Sequence, residues 1–180
     1  AVIDGGSLEH IFNFPQAVAN AMEMVEQGGH FLGVSPTNNF SGHGFYQFSP
    51  ELFFRVFAEE NGFELVRMVM FKDFWAARWF EVVDPAQLRQ RVTIVNRTST
   101  YLGVIARRVA LKPIFATPPQ QSDYAAQWRG DAGSRERSLT QRLASTRLGE
   151  WLYRALPPRS RDLFISRRRM FRPFRPRSRT

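Results

Sequence analysis

The spacing of apolar residues divides the first 110 positions into short buried runs and amphipathic segments. Val2 and Ile3 read as the end of a buried strand, and Asp4, Gly5, Gly6 and Ser7 as the turn that leaves it. Phe14, Val18, Ala21, Met22 and Val25 then fall on one face at helical spacing. Asn13 suits the cap of that helix, Pro15 suits its first turn, where the N–H would be unpaired anyway, and Gly28-Gly29 supply its stop. His30 to Ser35 is short, mostly apolar and bounded by glycine and proline, the pattern of a strand buried on both faces.

The connection Pro36 to Gln47, PTNNFSGHGFYQ, is long for an α/β loop and rich in Asn and aromatics. Gly42 and Gly44 flank His43 in it and allow backbone geometries other residues resist. Ser49-Pro50-Glu51 starts a second helix with Leu52, Phe53, Val56 and Phe57 facing the core, and Asn61-Gly62 ends it. Phe63 to Phe71 and Tyr101 to Ala110 read as strands. Between them Trp75 to Val83 is either a short strand or an aromatic excursion, and Asp84-Pro85 starts a turn or short helix. Two strands joined by non-helical material can pair antiparallel, so the expected fold class is α/β with a sheet that finishes mixed.

Composition changes after Phe115. Residues 1–116 are expected to form the folded domain and 117–135 a proline-led linker. In 136–156, Leu139, Leu143, Leu148, Trp151 and Leu152 recur at helical spacing against Arg137, Arg142, Arg147 and Arg154, as in an amphipathic helix. Residues 157–180 are basic, proline-broken and expected to be disordered. The formal charge of +9 belongs to this end: residues 131–180 hold 14 Arg against four acids. Absence of cysteine rules out disulfides and thiolate zinc sites, and no apolar run approaches the roughly 18 residues of a membrane span.

Taken in order, D-G-G-S-L-E-H (Asp4 to His10), a helix, G-G-H-F-L-G-V-S-P (Gly28 to Pro36), a polar aromatic loop, F-S-P-E-L-F (Phe48 to Phe53) and N-G-F-E (Asn61 to Glu64) resemble the second half of a class I S-adenosylmethionine-dependent methyltransferase. The resemblance covers about residues 1–110. It implies the carboxyl-terminal half of a Rossmann-like sheet, with Val2-Ile3 ending the fourth strand, His30 to Ser35 as the fifth, and the two later strands as the closing antiparallel pair. The family's glycine-rich loop and ribose-binding acid have no counterpart in these residues, so the chain is expected to be a fragment or truncated product that binds S-adenosylmethionine incompletely.

By that resemblance Gly6, Ser7, Leu8 and His10 line the methionine end of the cofactor, although Leu8 and His10 could equally pack and cap the next helix. His43, with Tyr46 beside it, is the candidate catalytic base; both could instead merely order their loop. Asn38 and Asn39 either orient an acceptor hydroxyl or form an Asx-turn. Trp75, in the aromatic run Phe71 to Phe80, is the candidate for stacking on a sugar or planar acceptor, with core packing as the other reading. No metal is expected, because Gly6 stands where some related enzymes place a second glutamate before Glu9-His10.

Two functions follow as expectations. One is methyl transfer to a small-molecule or glycan acceptor once the domain is complete. The other is a non-catalytic binding protein whose Arg-rich tail attaches to an anionic membrane surface or, less readily, to nucleic acid. A cytoplasmic location, peripheral to the membrane in the second case, suits both.

Overall fold

A computed structural model describes residues 1–73, 78–89, 91, 92, 94, 96–128 and 171–173. Their fold is α/β, built on one mixed sheet. Its strands are β1 (Val2–Asp4), β2 (His30–Asn38), β3 (Phe63–Lys72), β4 (Phe80–Val82), β5 (Thr100–Arg108) and β6 (Phe171–Pro173). They lie in the order β1-β2-β5-β3-β4-β6. The helices are α1 (Phe14–Glu23), α2 (Pro50–Val56), α3 (Pro85–Leu88) and α4 (Ser122–Trp128), with single 3-10 turns at Leu8–His10 and Glu59–Asn61.

β1 and β2 are parallel, with Val2 opposite Phe31, and α1 makes the crossover between them. β5 runs antiparallel to β2 on one side and to β3 on the other. β1, β2 and β3 therefore point the same way. Thr100, the first residue of β5, is in register with both Asn38 and Lys72. The carboxyl ends of β2 and β3 and the start of β5 thus share one edge of the sheet.

The expected antiparallel pairing of the two later strands is present in β3 and β5. Other boundaries differ from the sequence reading. β2 runs three residues past Ser35, through buried Pro36, and the missing N–H is absorbed by a register shift between Pro36 and Asn38. α1 stops at Glu23, before Gly28, and Asn13 precedes it without a side-chain capping bond. Ser49 does cap α2, its hydroxyl accepting from the Leu52 N–H at 3.3 Å. Asp84 caps α3 and pairs with Arg55 of α2. Trp75 and the amphipathic segment 136–156 lie outside the described residues.

Two short elements stand in segments read from sequence as irregular. α4 begins inside 117–135, where the Ser122 N–H donates to Glu51 at 2.8 Å and Arg91 pairs with Asp123. β6 lies within 157–180 and pairs antiparallel with β4, Val82 opposite Phe171. Because β4 pairs with β3 on one side, its other edge is open to such an addition. Among the described residues no helix is long and apolar enough to cross a membrane.

Phenylalanine dominates the core. Phe14, Phe48, Phe53, Phe57 and Phe31 form a continuous series of ring contacts, with centroids 4.6 to 6.3 Å apart, and Phe63 joins it through Phe57. This series connects α1, the end of the 39–47 loop, α2 and the sheet, so the loop is anchored to the centre of the domain.

The one buried cation of the described core, Arg108, is 4% exposed. Its guanidinium donates to the carbonyls of Met22, Glu23 and Val25 at 3.2, 3.1 and 2.8 Å, and to the Glu23 carboxylate at 3.0 Å. These carbonyls belong to the last turn of α1 and the residues just past it, where helix geometry leaves acceptors short of donors and partial negative charge accumulates; Met22 shares its carbonyl with the Val25 N–H. The last residue of β5 thus caps the first helix.

Candidate functional site

The site grows from the turn that leaves β1. Asp4 is buried, and its Oδ1 accepts from the Ser7 backbone N–H at 3.0 Å and from the Ser7 hydroxyl. That pair fixes the turn and launches the 3-10 turn Leu8–His10. Leu8 joins the core, His10 faces solvent, and Glu9 is only 2% exposed.

Glu9 holds the loop after β2 in place. Its carbonyl accepts from the N–H groups of Phe45 at 2.7 Å and Tyr46 at 3.3 Å. Gly44 makes the approach feasible: it has a φ of 69°, and a Cβ there would stand 2.8 Å from the Glu9 oxygen. The base of the loop is closed by Phe48 N–H to Pro36 carbonyl at 2.8 Å and by the Thr37 hydroxyl to Phe48 carbonyl at 2.6 Å.

This docking brings three chemistry-bearing side chains together. His43 Nε2 lies 3.7 Å and His10 Nε2 4.0 Å from Glu9 Oε1. The two imidazole rings meet edge to face at 4.8 Å. Glu9 Oε2 is buried and has no hydrogen-bond partner. Gly6 also packs on the carboxylate: it adopts a φ of 106°, and a Cβ there would stand 3.0 Å from Oε1.

An aromatic shelf adjoins the cluster. Phe40 contacts His43 at 5.7 Å and Tyr101 at 4.6 Å; Tyr101 contacts Phe71, which stacks on Trp79 at 4.6 Å. The Tyr101 phenol is held above its ordinary pKa, first because burial disfavours the phenolate and then because the Asp73 and Glu9 carboxylates repel it. Tyr101 therefore remains a neutral O–H donor beside the cluster.

The sequence candidates sort into three groups. Ser7 and Leu8, together with Asp4, border an open cleft of about 450 Å³ between β1 and α1. His10 and His43 meet at Glu9, with Gly6 packed against the carboxylate. Asn38, Asn39 and Tyr46 have structural partners instead. The Asn38 side chain donates to Asn96 at 3.2 Å; that of Asn39 donates to the Asn96 side chain and to the carbonyls of Asn96 and Thr98. Asn39 also sits at φ 60°, a backbone region Asn tolerates better than most residues. The Tyr46 hydroxyl donates to the Phe12 carbonyl at 2.6 Å, and its ring stacks on Phe48, so it ties the loop to the start of α1.

Sequence reasoning underrated Glu9 and Asp4. Each is a buried carboxylate with one unpartnered oxygen. The legible signal for Glu9 was its place beside His10 just past the end of a strand; Gly6, three residues before it, had counted against a metal there. No family model, curated protein or solved structure matches the chain.

Proposed function

We propose that this chain is the carboxyl-terminal half of a class I S-adenosylmethionine-dependent methyltransferase domain, which transfers a methyl group to a small-molecule or glycan acceptor when complete. The observation that carries this reading is the meeting of Leu8–His10 with the 39–47 loop at the carboxyl edge of a parallel β1–β2 pair. Ligands of open α/β sheets lie at that edge. The α1 crossover and the antiparallel β5 beside β3 agree with what the sequence resemblance implies for the end of such a sheet.

The residues present fit one end of the cofactor. Asp4, Ser7 and Leu8 border the cleft, and buried Asp4 keeps one carboxylate oxygen without a partner, a suitable acceptor for the cationic amino group of a methionine moiety. S-adenosylmethionine, when bound, supplies an activated methyl group on a sulfonium, so the protein's work is alignment, exclusion of water and handling of the acceptor's proton. His43, 3.7 Å from the Glu9 carboxylate, would take that last task. The Phe40, Tyr101, Phe71 and Trp79 shelf offers planar apolar surface to an acceptor ring.

The test is transfer of labelled methyl groups by the protein expressed with its full reading frame. His43→Ala is expected to lower turnover by roughly 10²- to 10⁴-fold while changing cofactor affinity little. Equal loss of both would move His43 to a structural role. No cofactor binding and no methyl transfer to any hydroxyl or amine acceptor would overturn the reading.

A further inference from the structure

The geometry points to a divalent-cation site at Glu9, His10 and His43, of the chemistry that selects Zn²⁺ or a neighbouring first-row transition metal. Each residue offers one ligand atom, and all three atoms lie within 4.8 Å of one another. A shared ion with bonds of roughly 2.0–2.2 Å would hold neighbouring ligands about 3.0–3.5 Å apart. The Glu9 to His43 and Glu9 to His10 separations are 3.7 and 4.0 Å and the widest spacing of the three atoms is within 4.8 Å, so a shared ion needs a closure of roughly 0.5–1.5 Å. Both imidazoles are about half exposed, at 48% and 50%, and lie outside the buried core, which leaves room for side-chain rotation to supply it.

A second observation points the same way. Glu9 is almost fully buried, yet its Oε2 has no hydrogen-bond donor. A buried carboxylate left with unmade bonds carries a large desolvation cost unless a cation offsets it. The surrounding backbone is built to keep it there: Gly6 and Gly44 both pack against Glu9 in conformations side chains resist. Two imidazoles and one carboxylate suit Zn²⁺, Ni²⁺, Co²⁺ or Fe²⁺ better than Ca²⁺ or Mg²⁺, which prefer oxygen sets.

Three protein ligands leave at least one coordination position open. At this sheet edge that position would take an oxygen, from water or an acceptor hydroxyl, and acidify it. The binding site itself does not depend on methyl transfer and is measured without it.

Equilibrium dialysis of the chelator-stripped 180-residue chain against Zn²⁺, with Co²⁺ absorption as a second readout, tests the site. About one equivalent is expected to bind. Changing groups that merely support ligands weakens metal sites by roughly 10- to 100-fold, so loss of a ligand in His10→Ala, His43→Ala or Glu9→Gln should cost at least about tenfold. His30→Ala, at the start of β2, should bind as the parent does. Glu9 is buried and its variant is exposed to misfolding, but the two half-exposed histidines carry the test alone, with circular dichroism in chelator as the fold control. Absence of saturable binding, or binding unchanged in both His10→Ala and His43→Ala, would overturn the proposal. So would an equal loss in His30→Ala.

Discussion

A Cβ placed on Gly44 would stand 2.8 Å from the carbonyl oxygen of Glu9. That contact sets how deeply the His43 loop seats, because the same oxygen receives the Phe45 and Tyr46 N–H groups. Gly44→Ala combines a steric conflict with a positive φ and is expected to destabilise the protein by about 1–3 kcal/mol. Gly42→Ala, whose Cβ would meet nothing within 4 Å, should stay within about 0.5 kcal/mol of the parent. Denaturant unfolding of the two variants checks this, and equal effects would show that the loop does not depend on its seat.

Arg108 reaches across from β5 to three carbonyls at the end of α1. Arg108→Met fills much of the same volume but removes the donor to the Glu23 and Val25 carbonyls, while the Met22 carbonyl keeps the Val25 N–H at 3.1 Å, so a loss of about 2–4 kcal/mol is expected. Arg108→Lys keeps the charge but lacks the fork that serves several acceptors at once, and should fall between the two. Amide exchange in residues 18–25 should accelerate in both variants before the sheet itself opens. Parent-like exchange in Arg108→Met would remove the capping role.

Tyr101 predicts an alkaline signature. Its folded pKa is raised, so the native state retains a proton that the unfolded chain releases near the ordinary value of about 10. The associated stability is fully present below that pH and is lost as pH rises through the folded value. Tyr101→Phe is expected to remove one late step from the ultraviolet phenolate titration and to flatten the alkaline fall in stability. Asp73→Asn should shift that step part of the way down. A titration curve unchanged by Tyr101→Phe would contradict the assignment.

Local pattern made much of the fold legible. The apolar face of α1, the Ser49-Pro50-Glu51 start of α2, and β3 and β5 all follow from periodicity and turn chemistry. Strand order was less accessible: that β5 inserts between β2 and β3 depends on long-range packing, which no window of residues records. Pro36 misled because proline usually ends strands, and here a bulge accommodates it.

At the site, His43 and His10 were visible as titratable residues at a ligand edge, whereas their convergence on Glu9 was not. It arises from the Gly44 seat, a tertiary contact. Asn38 and Asn39 had two sequence readings; the structure ties both to Asn96, 57 or 58 positions away, beyond the local Asx-turn that sequence could suggest.

The position of β5 also constrains the order of folding. β2 and β3 are both complete by residue 72, yet neither has the other as a neighbour; each waits for the same strand, which ends at Arg108. A chain emerging from the ribosome therefore carries two unsatisfied strand edges and an uncapped α1 until β5 arrives. Sheet closure and helix capping both depend on that one strand, through contacts of high sequence separation, a kind that in general slows folding. A nascent chain halted before residue 100 should present those edges to chaperones, and one released past 108 should withdraw them.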